Sequence, residues 1–197
     1  MGMPTIAIQQ ILHGMNELSF GQQRDTDGLV MSWFTPESLE VIKQMDFSDK
    51  VIWMWGAGMG DCWLAKRCKE LHIVERVEEW IYKSAELLAA NGITNTRYYH
   101  RPCNEGSGAQ DMYCLIPDDV KPDVFIVDDA YRYECILKAI EMKPCTLIVD
   151  NFMQAFVFIC PSAVEALKPY KYETYECAAH TDHDGVNKWK TLIGEIK

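Results

Sequence analysis

Five apolar residues, Val51-Ile52-Trp53-Met54-Trp55, run straight into Gly56-Ala57-Gly58-Met59-Gly60, and a helix-compatible stretch continues over residues 61–69. An apolar run of strand length that stops at glycines reads as a strand buried on both faces, the mark of a parallel sheet covered by helices. Each glycine loses more conformational entropy on folding than any other residue would. Three of them in alternation therefore point to a tight turn, to a ligand that comes close to the backbone, or to both. In a parallel sheet the carboxyl end of such a strand is where ligands bind, and the next helix begins there with unpaired N–H groups.

The rest of the chain alternates in the same way. "LHIVE", "TRYYH", "DVFIVDD" and "TLIVDN" read as strands two to five. "SWFTPESLEVIKQM" reads as a helix with Thr35 as N-cap, Pro36 at its first position and Glu37 in its first turn. "VEEWIYKSAELLAANG" places Val77, Ile81, Ala85 and Leu88 on one face and ends at Asn91-Gly92, while "YRYECILKAIEMK" is stopped near Pro144. Residues 101–121 form a longer connection with one helical turn, and residues 152–170 contain helical material ending at Pro169. The last two segments, "YKYETYECAAH" and "VNKWKTLIGEI", alternate and are joined by "TDHDG", so they form an antiparallel hairpin. The expected fold is α/β: a doubly wound, mostly parallel seven-stranded sheet with a C-terminal antiparallel hairpin and N-terminal helices. Residues 1–197 are expected to form a single domain, with 1–48 as a helical cap and 49–197 as the core.

Charge narrows the partners. A formal charge of −10, spread along the chain, disfavours a broad phosphate-binding face and hence a nucleic-acid substrate. No apolar run reaches membrane-spanning length, and no basic segment followed by an apolar core marks the N-terminus. The eight cysteines include no C-x-x-C pair and sit in apolar or periodic segments, as reduced thiols of a cytoplasmic protein would. His13 and His72 read as structural, and His180 and His183 as part of a solvated hairpin tip. His100 ends strand three, where it can face a pocket. Trp80 fits packing better than stacking on an adenine, although its closeness to Glu75 leaves both open.

Two cofactor classes compete for the glycine turn. Dinucleotide folds prefer G-x-G-x-x-G, but Asp61 stands here where the third glycine would be. A negative charge at that helix start opposes a pyrophosphate and suits S-adenosylmethionine, which carries a sulfonium and an amino group. Glu75 ends the second strand nineteen residues after Gly56, where a carboxylate can accept both ribose hydroxyls.

At these residues the chain resembles the class I S-adenosylmethionine-dependent methyltransferases over roughly residues 32–197. "VIWMWGAGMG" is similar to their glycine-rich first motif, with Trp55 where an acidic residue is frequent, and "IVERVEEW" to their acidic second motif. "SWFTPESL" is similar to the segment that precedes the core in several small-molecule methyltransferases, and "NKWKTLIGEI" to the fold's final strand. The resemblance implies strand order 3-2-1-4-5-7-6. It implies a cofactor site made of Thr35, Gly56, Ala57, Gly58, Glu75, Arg76, Cys103 and Asp128, with Arg101 and Pro102 also beside the adenine.

Methyl transfer is an in-line displacement in which the enzyme aligns the acceptor and removes its proton. Strands four and five end in "VDDAYR" and "VDNF", so Asp128, Asp150 and Asn151 emerge at the same sheet edge as Gly56. Asp128, Arg132 and Asp150 are the candidate catalytic residues, with Arg132 either an acceptor-binding or a surface residue. The trio Asp128, Asp150 and Asn151 resembles the divalent-metal site of catechol-type O-methyltransferases, which implies O-methylation. Tyr131 replaces that family's lysine, so the metal-free reading is preferred. Asp129 is a candidate N-cap for the helix near Tyr131. The expected activity is methyl transfer to a small-molecule or saccharide-like acceptor. The alternatives are a non-catalytic nucleotide-binding module and, less favoured, an NAD-linked oxidoreductase.

Overall fold

Strand β1 (Val51–Trp55) lies at the centre of one seven-stranded sheet, with β2 (Glu70–Glu75) and β3 (Thr96–His100) on one side. On its other side follow β4 (Val124–Val127), β5 (Cys145–Val149), β7 (Trp189–Ile196) and finally β6 (Lys171–Cys177). The order is β3-β2-β1-β4-β5-β7-β6, with β1 to β5 parallel and β7 antiparallel to both β5 and β6. The computed structural model describes residues 24–31, 34–103, 110–152, 161–177 and 189–197. The helical reading of residues 5–20, His13, and the hairpin tip with His180 and His183 lie outside the described residues.

Alternation along each strand builds two cores. Ile52, Met54, Leu71, Ile73, Ile126 and Ile148 face one side, where α1 (Pro36–Gln44), α2 (Asp61–Ala65) and α3 (Glu78–Ala90) contribute Leu39, Ile42, Trp63, Leu64 and Leu88. Trp53, Trp55, Phe125, Val127, Leu147 and Val149 face the other, against Tyr113 of α4 (Gln110–Cys114), Ile136 of α5 (Arg132–Glu141) and Leu167 of α6 (Pro161–Leu167). Among the described residues no helix is long and apolar enough to cross a membrane.

Several boundaries differ from the sequence reading. Helix α2 stops at Ala65, four residues before Lys69, because the chain must turn to begin β2 at Glu70. The buried stripe of α3 is Ser84 and Leu88; Val77 and Trp80 instead stand at the sheet edge, where they line a cleft. Trp55 is fully buried, stacks on Phe125 at 5.8 Å and donates its Nε1–H to the Tyr113 carbonyl at 3.2 Å, so its place is in the core. His72 is structural as expected: it is buried, stacks on Trp53, and meets the Tyr99 hydroxyl at 2.9 Å and Glu70 at 3.3 Å.

Candidate active site

The carboxyl ends of β1, β2 and β4 converge on a cleft of about 260 Å³ lined by residues 56–61, Glu75 to Val77, Trp80, Asp128 and Asp129, with Phe34, Met54 and Ile126 also in its wall. The glycine turn is shaped from both sides. Gly56 has φ +107, and a Cβ there would stand 3.0 Å from the Asp128 carbonyl oxygen, so β1 can pass β4 only with glycine at this position. Gly58 has no such strain, and a Cβ built on it meets nothing within 4 Å: its open side is the cleft.

Two buried carboxylates hold the turn. Glu75 accepts the Ala57 N–H on one oxygen at 2.8 Å and the Val77 N–H on the other at 2.7 Å. Asp61 folds back to accept the Gly58 N–H at 3.0 Å and the Ser84 hydroxyl at 2.5 Å, and Tyr98 meets Ser84 in turn. Burial raises the pKa of both, that of Asp61 to about 7, against the hydrogen bonds that favour the ionised forms. Asp61 is thus a structural strut in the wall of the cleft, a role that its spacing alone did not reveal because Ser84 lies 23 residues away.

Across the cleft, Asp129 binds the Arg76 Nε–H at 3.0 Å and the Tyr113 hydroxyl at 2.7 Å. It does not cap α5, whose N-cap position is Tyr131 in a left-handed conformation (φ 52) with no side-chain cap. Arg132 is not a surface residue. It is buried, donating Nε–H to the Asp150 carbonyl at 3.0 Å, an Nη1 hydrogen to the Asp129 carbonyl at 2.6 Å and an Nη2 hydrogen toward Asp128 Oδ1 at 3.4 Å. Asp150 is also buried and accepts the Thr191 hydroxyl at 3.1 Å.

The trio Asp128, Asp150 and Asn151 does not fit a divalent ion. A guanidinium already stands against the Asp128 carboxylate and Thr191 holds Asp150, while no cluster of three or more His, Cys, Asp or Glu suited to a metal occurs among the described residues. Thr35 is buried away from the lining: its N–H goes to Thr191 at 3.0 Å and its hydroxyl to Ser38 at 2.8 Å, and its neighbour Phe34 reaches the cleft instead. Arg101 binds the Tyr113 and Leu115 carbonyls and lies over Tyr99, turned from the cleft. His100 is exposed and Cys103 half-buried, and neither belongs to the lining. Of the expected cofactor residues, Gly56, Ala57, Gly58, Glu75, Arg76 and Asp128 are brought together. Sequence reasoning missed Phe34 and left Trp80 open between packing and the site; its closeness to Glu75 was the signal, and it lines the cleft.

The strand order, the reversed β7 and the glycine turn at the end of β1 define the class I methyltransferase fold. Solved structures share it. The chain is similar to the N-methyltransferase NodS from Bradyrhizobium japonicum WM9 at 12% identity and TM-score 0.60, with 82% of this chain and 94% of that one covered. It is similar to an rRNA methylase from Streptococcus thermophilus at 13% identity and TM-score 0.56, covering 82% and 95%. It is also similar to the Streptococcus mutans protein SMU.1697c, solved in complex with SAH, at 12% identity and TM-score 0.53, covering 81% and 96%. At such identities the likeness is one of fold. No family model matches the chain, and no curated protein sequence matches it.

Proposed function

We propose that this protein transfers a methyl group from S-adenosylmethionine to a small-molecule acceptor. The observation that carries the reading is the charge of the cleft. Asp61, Glu75, Asp128 and Asp129 line it, and the one basic residue among the described lining residues, Arg76, is already paired with Asp129. A dinucleotide would bring two phosphates into this field; a cofactor with a sulfonium and an ammonium and no phosphate is attracted by it. The −10 net charge favours a small acceptor over a nucleic acid on the same ground. The similar structures, which include an N-methyltransferase and a complex with SAH, support the choice of cofactor.

In this reading S-adenosylmethionine, when bound, supplies an electrophilic methyl carbon. Glu75 keeps lone pairs for the ribose hydroxyls, the Gly58 backbone forms the floor, and Val77 and Trp80 give the adenine an apolar wall. Asp128 faces the reacting end, and Arg132 is a positioning residue that fixes it. Glu75→Ala is expected to weaken S-adenosylhomocysteine binding by about 1–3 kcal/mol, since charge-assisted hydrogen bonds are lost and the turn amides lose their anchors. Calorimetric titration checks this, and an unchanged affinity would remove Glu75 from the site.

The raised carboxyl groups give a pH test of the same reading. Asp61 and Glu75 bind protons more tightly in the folded chain than in the unfolded one. The stability they contribute is therefore complete below the ordinary carboxylate range, about pH 4, and is lost as pH rises through the folded value of about 7 for Asp61. The melting temperature of the free protein should fall across that window. The cationic cofactor prefers the ionised cleft, so its stabilising shift should grow over the same window. A melting temperature that rises with pH there, or a cofactor shift that shrinks, contradicts the assignment.

A further inference from the structure

Strand β1 pairs with β2 on one side and with β4 on the other, all three parallel. β1 stops before Gly56 (φ +107), while the chain on either side continues into Glu75 and Arg76 at the end of β2 and into Asp128 and Asp129 after β4. The Arg76–Asp129 ion pair, Nε to Oδ1 at 3.0 Å, therefore joins the ends of two strands that are not neighbours, across the place where β1 ends. A Cβ built on Gly56 would stand 3.2 Å from the Asp129 Cβ, which sets this bridge beside the glycine turn. Both partners line the cleft together with Glu75.

The bridge differs from a loose surface pair in having one fixed end. The Asp129 side chain is 15% exposed, and its second oxygen accepts the hydroxyl of the fully buried Tyr113; the Arg76 side chain is 46% exposed. An exposed pair must order both side chains, whereas a carboxylate already anchored has little freedom left to lose. Arg76 directly follows Glu75, the strand-end acid placed to accept ribose hydroxyls. In doubly wound dinucleotide folds an arginine near that acid accommodates a phosphate carried on the ribose 2′ oxygen. A guanidinium offers the same fork of N–H groups to a phosphate and to a carboxylate, so the two compete for it. Here the carboxylate belongs to the protein.

We propose that Asp129 is a specificity-determining residue: by holding Arg76 it takes the place of a ribose phosphate and restricts the cleft to adenosine ligands whose ribose hydroxyls are free. This rests on the methyl-transfer reading for the ribose at Glu75. It concerns a feature that S-adenosylmethionine and NAD share, so it is separate from the exclusion of a pyrophosphate. Adenosine and adenosine 2′-monophosphate, titrated calorimetrically at millimolar concentration into the full chain, test it. The parent should bind adenosine about ten-fold more tightly than the monophosphate. Asp129→Asn keeps an acceptor for the Tyr113 hydroxyl and removes the charge, so it should shift that ratio about ten-fold toward the monophosphate. Adding Arg76→Gln to Asp129→Asn should return the ratio to the parent's. Glu75 also opposes a phosphate, but it is the same in all three proteins and cancels in the comparison. Three results would overturn the inference: equal binding of the two ligands by the parent, a ratio that Asp129→Asn leaves unchanged, or a shift that survives Arg76→Gln. A parent that binds neither ligand would overturn it as well, and the parent's own ratio needs no variant to fold. S-adenosylhomocysteine, titrated in parallel, separates the two readings. Its failure to bind, with the adenosine ratios as stated, ends the methyl-transfer reading and leaves the role of Asp129 standing.

Discussion

Gly58→Val should abolish S-adenosylhomocysteine binding while leaving the melting temperature close to that of the parent. The two glycines of the turn differ in kind. At Gly56 a side chain would collide with the Asp128 backbone, so a substitution there disturbs the fold and says little about the site. At Gly58 the backbone is unstrained and the first side-chain atom enters open space within a cleft of about 260 Å³. A valine there fills the approach to the backbone without disturbing β1, and the Gly58 N–H bond to Asp61 survives. Binding loss with an intact melting curve is the expected pair of results. Parent-like affinity would take the glycine turn out of the cofactor site.

Arg132→Ala is expected to be the most damaging change to stability, with a loss of about 3–4 kcal/mol in urea unfolding. The guanidinium is buried and satisfies the carbonyls of Asp129 and Asp150 as well as Asp128. Its removal leaves two carbonyls and a carboxylate without their donor, which is the expensive way to break a buried network. Arg132→Lys should restore little, because one ammonium cannot reproduce three directed N–H bonds from a planar fork. A loss below about 1 kcal/mol would show that solvent replaces the arginine and that it does not hold the ends of β4 and β5.

These two outcomes also mark what sequence could and could not reveal. The sheet was legible because β1, β4 and β5 are nearly continuous apolar runs, the pattern of strands in a doubly covered parallel sheet. Gly56, Gly58 and Glu75 were legible because a glycine turn and a strand-end acid are local signals at fixed spacing. Arg132 was not: a charged residue at a helix start looks the same whether it points to solvent or to three backbone and side-chain oxygens from β4 and β5. Asp61 was read for its charge alone, since its partner Ser84 sits on a different helix. Thr35 and Phe34 are neighbours, and only the register of α1 against β7, fixed by the Thr35–Thr191 bond, decides which one meets the cleft. Long-range partners of polar residues are set by the fold, and no window along the chain contains them.

The most direct test of the central claim is a parallel calorimetric titration of the unmodified protein with S-adenosylhomocysteine and with NAD. Both ligands carry an adenosine, so both can offer a ribose to Glu75 and a base to Trp80; they differ in the two phosphates. The acid-lined cleft, with Arg76 already paired to Asp129, predicts saturable one-to-one binding of S-adenosylhomocysteine and no measurable heat with NAD. Saturable binding of NAD with none of S-adenosylhomocysteine would contradict the account and turn the same glycine turn into a dinucleotide site.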